Sequence, residues 1–117
     1  MKLPETFSNL IEEADNLKLY QKLIIQLNKD FLYANIDLDF EEDISPKSLK
    51  ACLHEVVYRL IQEKFNDYLN LLYIIDVSEG KIKNLNGDDA LSLSEEVSFL
   101  ILQREWQKVW FKNRYSS

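Results

Sequence analysis

Turn-forming residues are scarce in this chain, which contains two glycines and two prolines among its 117 residues. Sandwiches, barrels and glycine-rich phosphate loops depend on frequent tight turns, so this composition argues against all three. The single cysteine, Cys52, excludes an intrachain disulfide. A helical domain with few connections fits the composition best, and at this length we expect a single domain spanning residues 1–117.

Soft metal ligands are equally scarce, since Cys52 and His54 are the only cysteine and the only histidine. On a helix, residues two positions apart point about 200° away from each other, so these two side chains cannot share a metal ion. We expect both to be partly buried packing residues. The acidic segment of residues 37–43 lacks the glycine and the closing glutamate of an EF-hand loop. The sequence therefore predicts no metal and no cofactor.

Long apolar segments and a signal-peptide pattern are also missing, which predicts a cytoplasmic protein without a membrane span. The formal net charge is −6, which disfavours nonspecific binding of nucleic acid by the whole surface. The charge is uneven, because residues 104–117 carry +3 and the other residues carry −9. Attraction to phosphate is therefore expected at the C-terminal end alone.

Helical periodicity dominates what the sequence does contain. The segment Ser45–Asp76 begins with a Ser-Pro pair typical of a helix N-terminus and has no internal glycine or proline. Its apolar residues recur at helical spacing, and so do those of Pro4–Ala34 and Asp89–Asn113. We predict an all-α, up-down bundle of these three long helices, with a short helical turn at Ser78–Leu85 before the last one.

Two parts of this pattern call for interpretation. Around Asp15 and Asn16 the apolar stripe stays almost in phase, which allows either one bent helix or two helices split at this point. Ile36, Leu38 and Phe40 alternate with acidic residues, a strand-like period of two. No second strand pattern accompanies them, and an isolated strand is unstable. We therefore interpret this segment as an extended connection whose apolar side chains pack on the helices.

The C-terminal helix carries the pattern that most suggests binding. A row of basic residues runs beside a row of tryptophans, and the residues concerned are Arg104, Lys108, Lys112, Arg114, Trp106 and Trp110. Such an edge suits phosphate contact with base stacking, which makes a nucleic-acid-associated protein our alternative interpretation. We favour indoles that belong to the core, with Lys108 and Lys112 as ordinary surface residues whose stems lie over them. The basic end would then face the acidic segment 37–43.

Apolar surface exceeds what a three-helix core can cover. The runs Leu71–Ile75 and Phe99–Leu102 are apolar all round their helices, and each helix of such a bundle keeps one side toward solvent. No polar residues gather on an apolar face as they do in active sites, so we predict a noncatalytic protein-interaction module rather than an enzyme. Its partner is another protein or a second copy of the chain, in the simplest case a twofold homodimer.

Two segments, Tyr68–Glu79 and Arg104–Lys112, resemble a family of short, uncharacterised bacterial proteins that are all-helical. The resemblance implies a protein of bacterial and cytoplasmic origin. It carries over no activity, cofactor or catalytic residue to any position of this chain.

Overall fold

The computed structural model describes residues 1–115 and contains six α-helices. Their bounds are Phe7–Asn16 (α1), Tyr20–Tyr33 (α2), Pro46–Glu63 (α3), Phe65–Ile75 (α4), Glu79–Lys83 (α5) and Ala90–Tyr115 (α6). The described residues form no β-strand, which confirms the all-α prediction, but the prediction of three long helices is wrong. Within the same residues, no helix combines the length and the apolar character needed to span a membrane.

The predicted first helix is split, and the break lies at residues 17–19, directly after Asp15 and Asn16. Lys18 takes a left-handed conformation with a φ of 59°. The Leu19 N–H then donates to the Ala14 carbonyl at 2.8 Å, which closes the end of α1. Because the chain reverses here, α2 packs back against α1.

The predicted central helix is broken at Lys64, between α3 and α4. Lys64 has non-helical backbone angles, with φ −140° and ψ 61°, although no glycine or proline marks the position. The N–H of Lys64 donates to the Leu60 carbonyl and the N–H of Tyr68 to the Lys64 carbonyl, each at 3.0 Å. The break therefore sacrifices few hydrogen bonds, and α4 can pack against α2 as well as α3.

The two helices after α4 begin at side-chain caps. Ser78 caps α5, since its hydroxyl oxygen accepts a hydrogen bond from the Lys81 N–H at 3.4 Å. This short helix confirms the predicted helical turn. Asp89 performs the same role for α6, where its carboxylate accepts a hydrogen bond from the Ser92 N–H at 2.7 Å.

Helix α6 lies at the centre of the core, because it packs against α1, α2, α3 and α4. Its buried apolar residues are Val97, Ile101, Leu102, Trp106 and Val109. A helix surrounded in this way needs apolar residues on more than one face, which explains the wide apolar pattern of this segment. Full burial of each such side chain stabilises the fold by about 1.5–3 kcal/mol.

Residues 35–43 form the expected connection without strand pairing, although it is not extended throughout, because Asp39 takes a left-handed conformation with a φ of 42°. Ile36, Leu38 and Phe40 are partly buried and pack against the core. The Asn28 side chain fixes the segment to α2, because its amide oxygen accepts from the Phe40 N–H at 2.9 Å and its nitrogen donates to the Phe40 carbonyl at 2.8 Å. One side chain thus satisfies both backbone groups of Phe40, as a neighbouring strand would.

Candidate functional site

Three basic residues of α6, Arg104, Lys108 and Lys112, bind acceptors elsewhere in the same chain. Arg104 donates to the Asp76 carbonyl at 3.1 Å and lies 3.2 Å from the Asp76 carboxylate. Lys112 donates to the side-chain carbonyl of Gln26 at 2.7 Å. In the described part of the chain, the acidic segment 37–43 forms no ion pair with this edge, so the expected pairing between them is wrong.

Lys108 belongs to a buried polar cluster between α2 and α6. Its ammonium nitrogen lies 2.7 Å from the Asp30 carboxylate and 3.6 Å from a Glu105 carboxyl oxygen. Asp30 also accepts a hydrogen bond from the Gln26 amide nitrogen at 3.1 Å. The side chain of Lys108 is 18% exposed, that of Asp30 7% and that of Glu105 0%. The sequence interpretation of Lys108 as an ordinary surface residue is therefore wrong.

The two carboxyl groups of this cluster take different protonation states. Burial, followed by the adjacent Asp30 carboxyl, raises the pKa of Glu105 to about 10. Burial also acts to raise the pKa of Asp30, but hydrogen bonds from Glu105, Lys108 and Gln26 and the Lys108 charge bring that pKa below its ordinary value. At neutral pH the cluster therefore holds a Glu105 carboxylic acid, an Asp30 carboxylate and a Lys108 ammonium.

Protonation of Glu105 also accounts for its hydrogen bonding. Among the described residues no donor forms a hydrogen bond to either of its carboxyl oxygens, and the Lys108 ammonium comes only to 3.6 Å, which would leave an ionised carboxylate weakly stabilised. A carboxylic acid at this position can instead donate its O–H to the ionised Asp30, a hydrogen bond that lowers the pKa of Asp30. The cluster as a whole is then electrically neutral, which limits the cost of its burial. Because both carboxyl groups are buried from solvent and substrate, we assign the cluster a structural role.

The tryptophans of the C-terminal edge differ in their environment. Trp106 is fully buried at 0% exposure, as the core interpretation expects, whereas Trp110 is only partly buried. The Arg114 guanidinium lies 5.3 Å from the centre of the Trp110 ring. Phe111 stacks on Tyr115 with ring centroids 5.9 Å apart. The partly exposed aromatic surface is thus confined to the last turns of α6.

The nucleic-acid interpretation of this edge finds no supporting geometry. A phosphate group would have to compete with existing hydrogen bonds. These bonds join Arg104 to Asp76, Lys108 to Asp30 and Lys112 to Gln26. A base-stacking platform also needs exposed aromatic faces, and Trp106 offers none. The interpretation stays a prediction, and within residues 1–115 its basic members without an ion pair are Lys112 and Arg114.

Cys52 and His54 lie apart from each other on α3. Cys52 is exposed, so the expectation of a partly buried residue is wrong for this position. His54 is partly buried, and its Nε2 lies 3.3 Å from the Leu91 carbonyl oxygen. No group of three or more histidine, cysteine or acidic side chains in residues 1–115 has a geometry that could hold a metal ion.

The two apolar runs are covered more completely than the sequence suggested. In the run 71–75, Leu71 and Ile75 are fully buried, and Tyr73 is 81% exposed. In the run 99–102, Ile101 and Leu102 are buried, and the other two residues are partly buried. The short helix α5 and the loop after it supply Ile82 and Leu85 to the same core, a contribution that a three-helix bundle lacks.

An exposed apolar row nevertheless runs along α4. It consists of Phe65, Leu69 and Tyr73, whose exposed fractions are 52%, 48% and 81%. Positions four apart share one face of a helix, so these side chains form a continuous stripe. The charged side chain within α4 is that of Asp67. We call this surface the α4 stripe, and only its last member, Tyr73, belongs to an apolar run that was predicted to exceed the core.

Comparisons with protein-family models, with curated proteins and with solved structures find no match to this chain. The resemblance of Tyr68–Glu79 and Arg104–Lys112 to short bacterial helical proteins therefore stays a prediction. The surface that distinguishes the described residues is the α4 stripe.

Proposed function

We propose that this protein is a noncatalytic interaction module that self-associates as a twofold dimer through the α4 stripe. The observation that carries the proposal is the row of three large apolar side chains on one helix face, each of them at least 48% exposed. The largest apolar patch on a typical monomer covers about 300–600 Å² and is often functional, so a contiguous row of this kind is a candidate interface. The buried carboxyl groups near Lys108 offer no accessible catalytic site, which supports a noncatalytic role.

The spacing of the α4 stripe suits a second copy of the same chain. Leu69 lies midway between Phe65 and Tyr73, four residues from each. When two such helices pair antiparallel about a twofold axis, Leu69 packs against Leu69 of the second copy. Each Phe65 then meets Tyr73 of that copy, so all three side chains gain a partner. Antiparallel pairing also places opposite ends of the two helix dipoles side by side.

The distribution of charge also favours a second copy of the chain as the partner. The chain carries a net charge of −6, so most of its surfaces would repel a second copy. Asn66 and Asn70 lie beside the stripe, and neither carries a charge. The α4 stripe is therefore a face on which two copies can meet without placing like charges opposite each other.

The size of the stripe predicts a weak dimer. An aromatic side chain buries about 150–250 Å² when fully covered, so three partly exposed side chains offer on the order of 300 Å² per copy. This area is well below that of a standard stable interface. We expect a dissociation constant in the micromolar range or weaker. Salt should strengthen the dimer, because it screens repulsion between two acidic chains.

Sedimentation equilibrium from micromolar to millimolar concentration tests the proposal. The wild-type chain should shift from its monomer mass of 13.9 kDa toward twice that mass, and more readily at high salt. Leu69→Lys and Leu69→Glu should each stay monomeric, because each places like charges against each other at the twofold axis. An equal mixture of the two variants should dimerise again, since opposite charges then meet.

Leu32→Lys provides the matched control. Leu32 lies on α2 and is 65% exposed, so the same chemical change is made at a comparable apolar site outside the α4 stripe. This variant should dimerise like the wild type. A wild-type protein that stays monomeric at millimolar concentration would refute self-association. Dimers of undiminished affinity in Leu69→Lys would show that another surface is used.

A further inference from the structure

A sizeable cavity lies on a different part of the molecule from the α4 stripe. It is half open, has a volume of about 700 Å³ and is lined by the start of α1, the N-terminal half of α3 and the N-terminal half of α6. Phe7, Leu53, Phe99 and Leu102 contribute apolar walls, and Leu85 closes one side. Pockets that hold small molecules typically have volumes of about 300–1,000 Å³ and mainly apolar walls.

Small residues create this space where α3 and α6 face each other. Ala51 and Ser98 both line the cavity. Ser98 is 6% exposed, and its hydroxyl oxygen has no hydrogen-bond partner among the described residues. Rotation about its Cα–Cβ bond would let this hydroxyl bond a molecule in the cavity. A buried polar group without a partner gains stability when a ligand supplies one.

The charges at the cavity edge are balanced. Lys47 and Lys50 lie on the α3 side, whereas Glu95 and Glu96 lie on the α6 side. Within residues 1–115 none of these four side chains takes part in an ion pair. A strongly anionic or cationic ligand would be attracted by one side and repelled by the other. The edge therefore favours a ligand without net charge.

We propose that this cavity binds a small, uncharged and mainly apolar molecule that carries one hydrogen-bonding group. Its apolar body lies along Phe99 and Leu102, because the Lys50 ammonium already lies 5.3 Å from the centre of the Phe7 ring, and its polar group bonds the Ser98 hydroxyl. The site is independent of the α4 stripe, because it is formed by α1, α3 and α6. Binding stabilises the folded chain, since the cavity exists only in the folded state.

N-phenyl-1-naphthylamine is a suitable probe, because it is neutral, mainly apolar and carries one N–H group. Titration of the wild-type chain should give a saturable rise in fluorescence with one probe per chain. The melting temperature should rise as the probe concentration increases. In NMR spectra, the amide signals of Ala51 and Phe99 should shift, whereas those of α4 should not. Absence of saturable binding, or shifts confined to other surfaces, would overturn the proposal.

Ala51→Phe and Cys52→Phe form a matched pair of variants. Both positions are exposed neighbours on α3, but Ala51 lines the cavity and Cys52 does not. Phenylalanine at position 51 fills the space and should weaken probe binding by about tenfold or more, which corresponds to about 1.4 kcal/mol. The Cys52→Phe chain should bind as the wild type does. Equal binding by the two variants would show that the probe lies elsewhere.

The charge of the ligand is tested with 8-anilinonaphthalene-1-sulfonate, which combines a similar aromatic body with a negative charge. Because the edge is balanced, the sulfonate should bind no more tightly than the neutral probe. If it binds about tenfold more tightly and loses that advantage in the Lys47→Gln variant, the uncharged class of ligand is wrong.

Discussion

The ammonium nitrogen of Lys108 lies 2.7 Å from the carboxylate of Asp30, although the two residues are 78 positions apart in the chain. This contact joins α6 to α2 inside the core. Glu105 lies beside it as a neutral acid, so Lys108 balances the one negative charge of the cluster. Removal of the ammonium group would leave the Asp30 carboxylate buried without a counter-charge.

Lys108→Ala should therefore lower the free energy of unfolding by about 3–5 kcal/mol, the usual cost of removing one partner of a buried ion pair. Urea unfolding followed by far-ultraviolet circular dichroism measures the loss. A change of about 0.5 kcal/mol, typical of surface substitutions, would contradict the buried geometry.

Arg59→Ala is the matched control for this experiment. Arg59 pairs with Glu55 at 2.9 Å, but both side chains are more than half exposed, at 69% and 62%. Exposed pairs contribute about 0–1 kcal/mol. Each of the two substitutions thus removes the cation of one ion pair. The difference between their losses in free energy of unfolding should therefore reflect burial alone.

Glu105 makes the stability of the fold depend on pH. Its pKa rises from an ordinary value of 4.5 to about 10 on folding, so between these values the folded chain keeps a proton that the unfolded chain releases. Stability contributed by this proton is complete in acid and falls as the pH rises, by up to about 1.4 kcal/mol per pH unit. Glu105→Gln removes the titrating group and should gain stability relative to the wild type as the pH rises.

Urea unfolding of the wild type and of Glu105→Gln from about pH 5 to about pH 9 measures how the free energy of unfolding changes with pH. Glu55→Gln is the control, because that side chain is exposed and its variant should follow the wild-type profile. Parallel profiles for Glu105→Gln and the wild type would show that Glu105 is ionised in the folded chain.

Sequence periodicity predicted the class of the fold and the connection at Phe40, because both follow from local spacing. It could not predict the break at Lys64. Leu71 follows Leu60 by eleven residues, about three helical turns, so the apolar stripe stays in phase across the break. No glycine or proline marks the position, and the break instead follows from the packing of α4 on α2 and α6.

The polar cluster was harder to predict, because its members come from distant segments. Asp30 interrupts the apolar stripe of α2 between Leu27 and Phe31. A carboxylate in a buried stripe needs a partner, so this position was a usable signal. Its partner Lys108 could not be identified without the contact between α2 and α6. The exposure of Phe65 and Leu69 likewise depends on which sides of α4 other elements cover.

Trp106→Ala should lower the free energy of unfolding by about 3–5 kcal/mol, as for other large buried aromatic residues. Trp106 is fully buried at the centre of the core, and the substitution leaves a large cavity. Tyr115→Ala is the control, because that ring lies on the same helix and is 74% exposed. It should change stability by only about 0.5 kcal/mol. Equal, small effects at both positions would support an exposed stacking role for Trp106 instead.

The two glycines of the chain should respond to alanine with opposite signs. A Cβ atom at Gly87 would lie 2.7 Å from the Leu93 backbone nitrogen and 2.8 Å from its Cα, so the loop would have to move away from α6. That movement would strain the hydrogen bond from the Gly87 N–H to the Glu96 carboxylate, now 3.0 Å long. Gly87→Ala should therefore destabilise the fold by about 1–3 kcal/mol.

Gly80 provides the comparison, because it lies in helix α5 and has space for a methyl group. The nearest contact of a Cβ atom there is the Ser78 hydroxyl oxygen at 3.6 Å, an ordinary packing distance. Alanine loses less backbone entropy than glycine on entering a helix, so Gly80→Ala should stabilise the fold by about 0.5–1 kcal/mol. Thermal unfolding of both variants shows whether each substitution raises or lowers the melting temperature. A Gly87→Ala chain as stable as Gly80→Ala would show that the loop does not pack against Leu93.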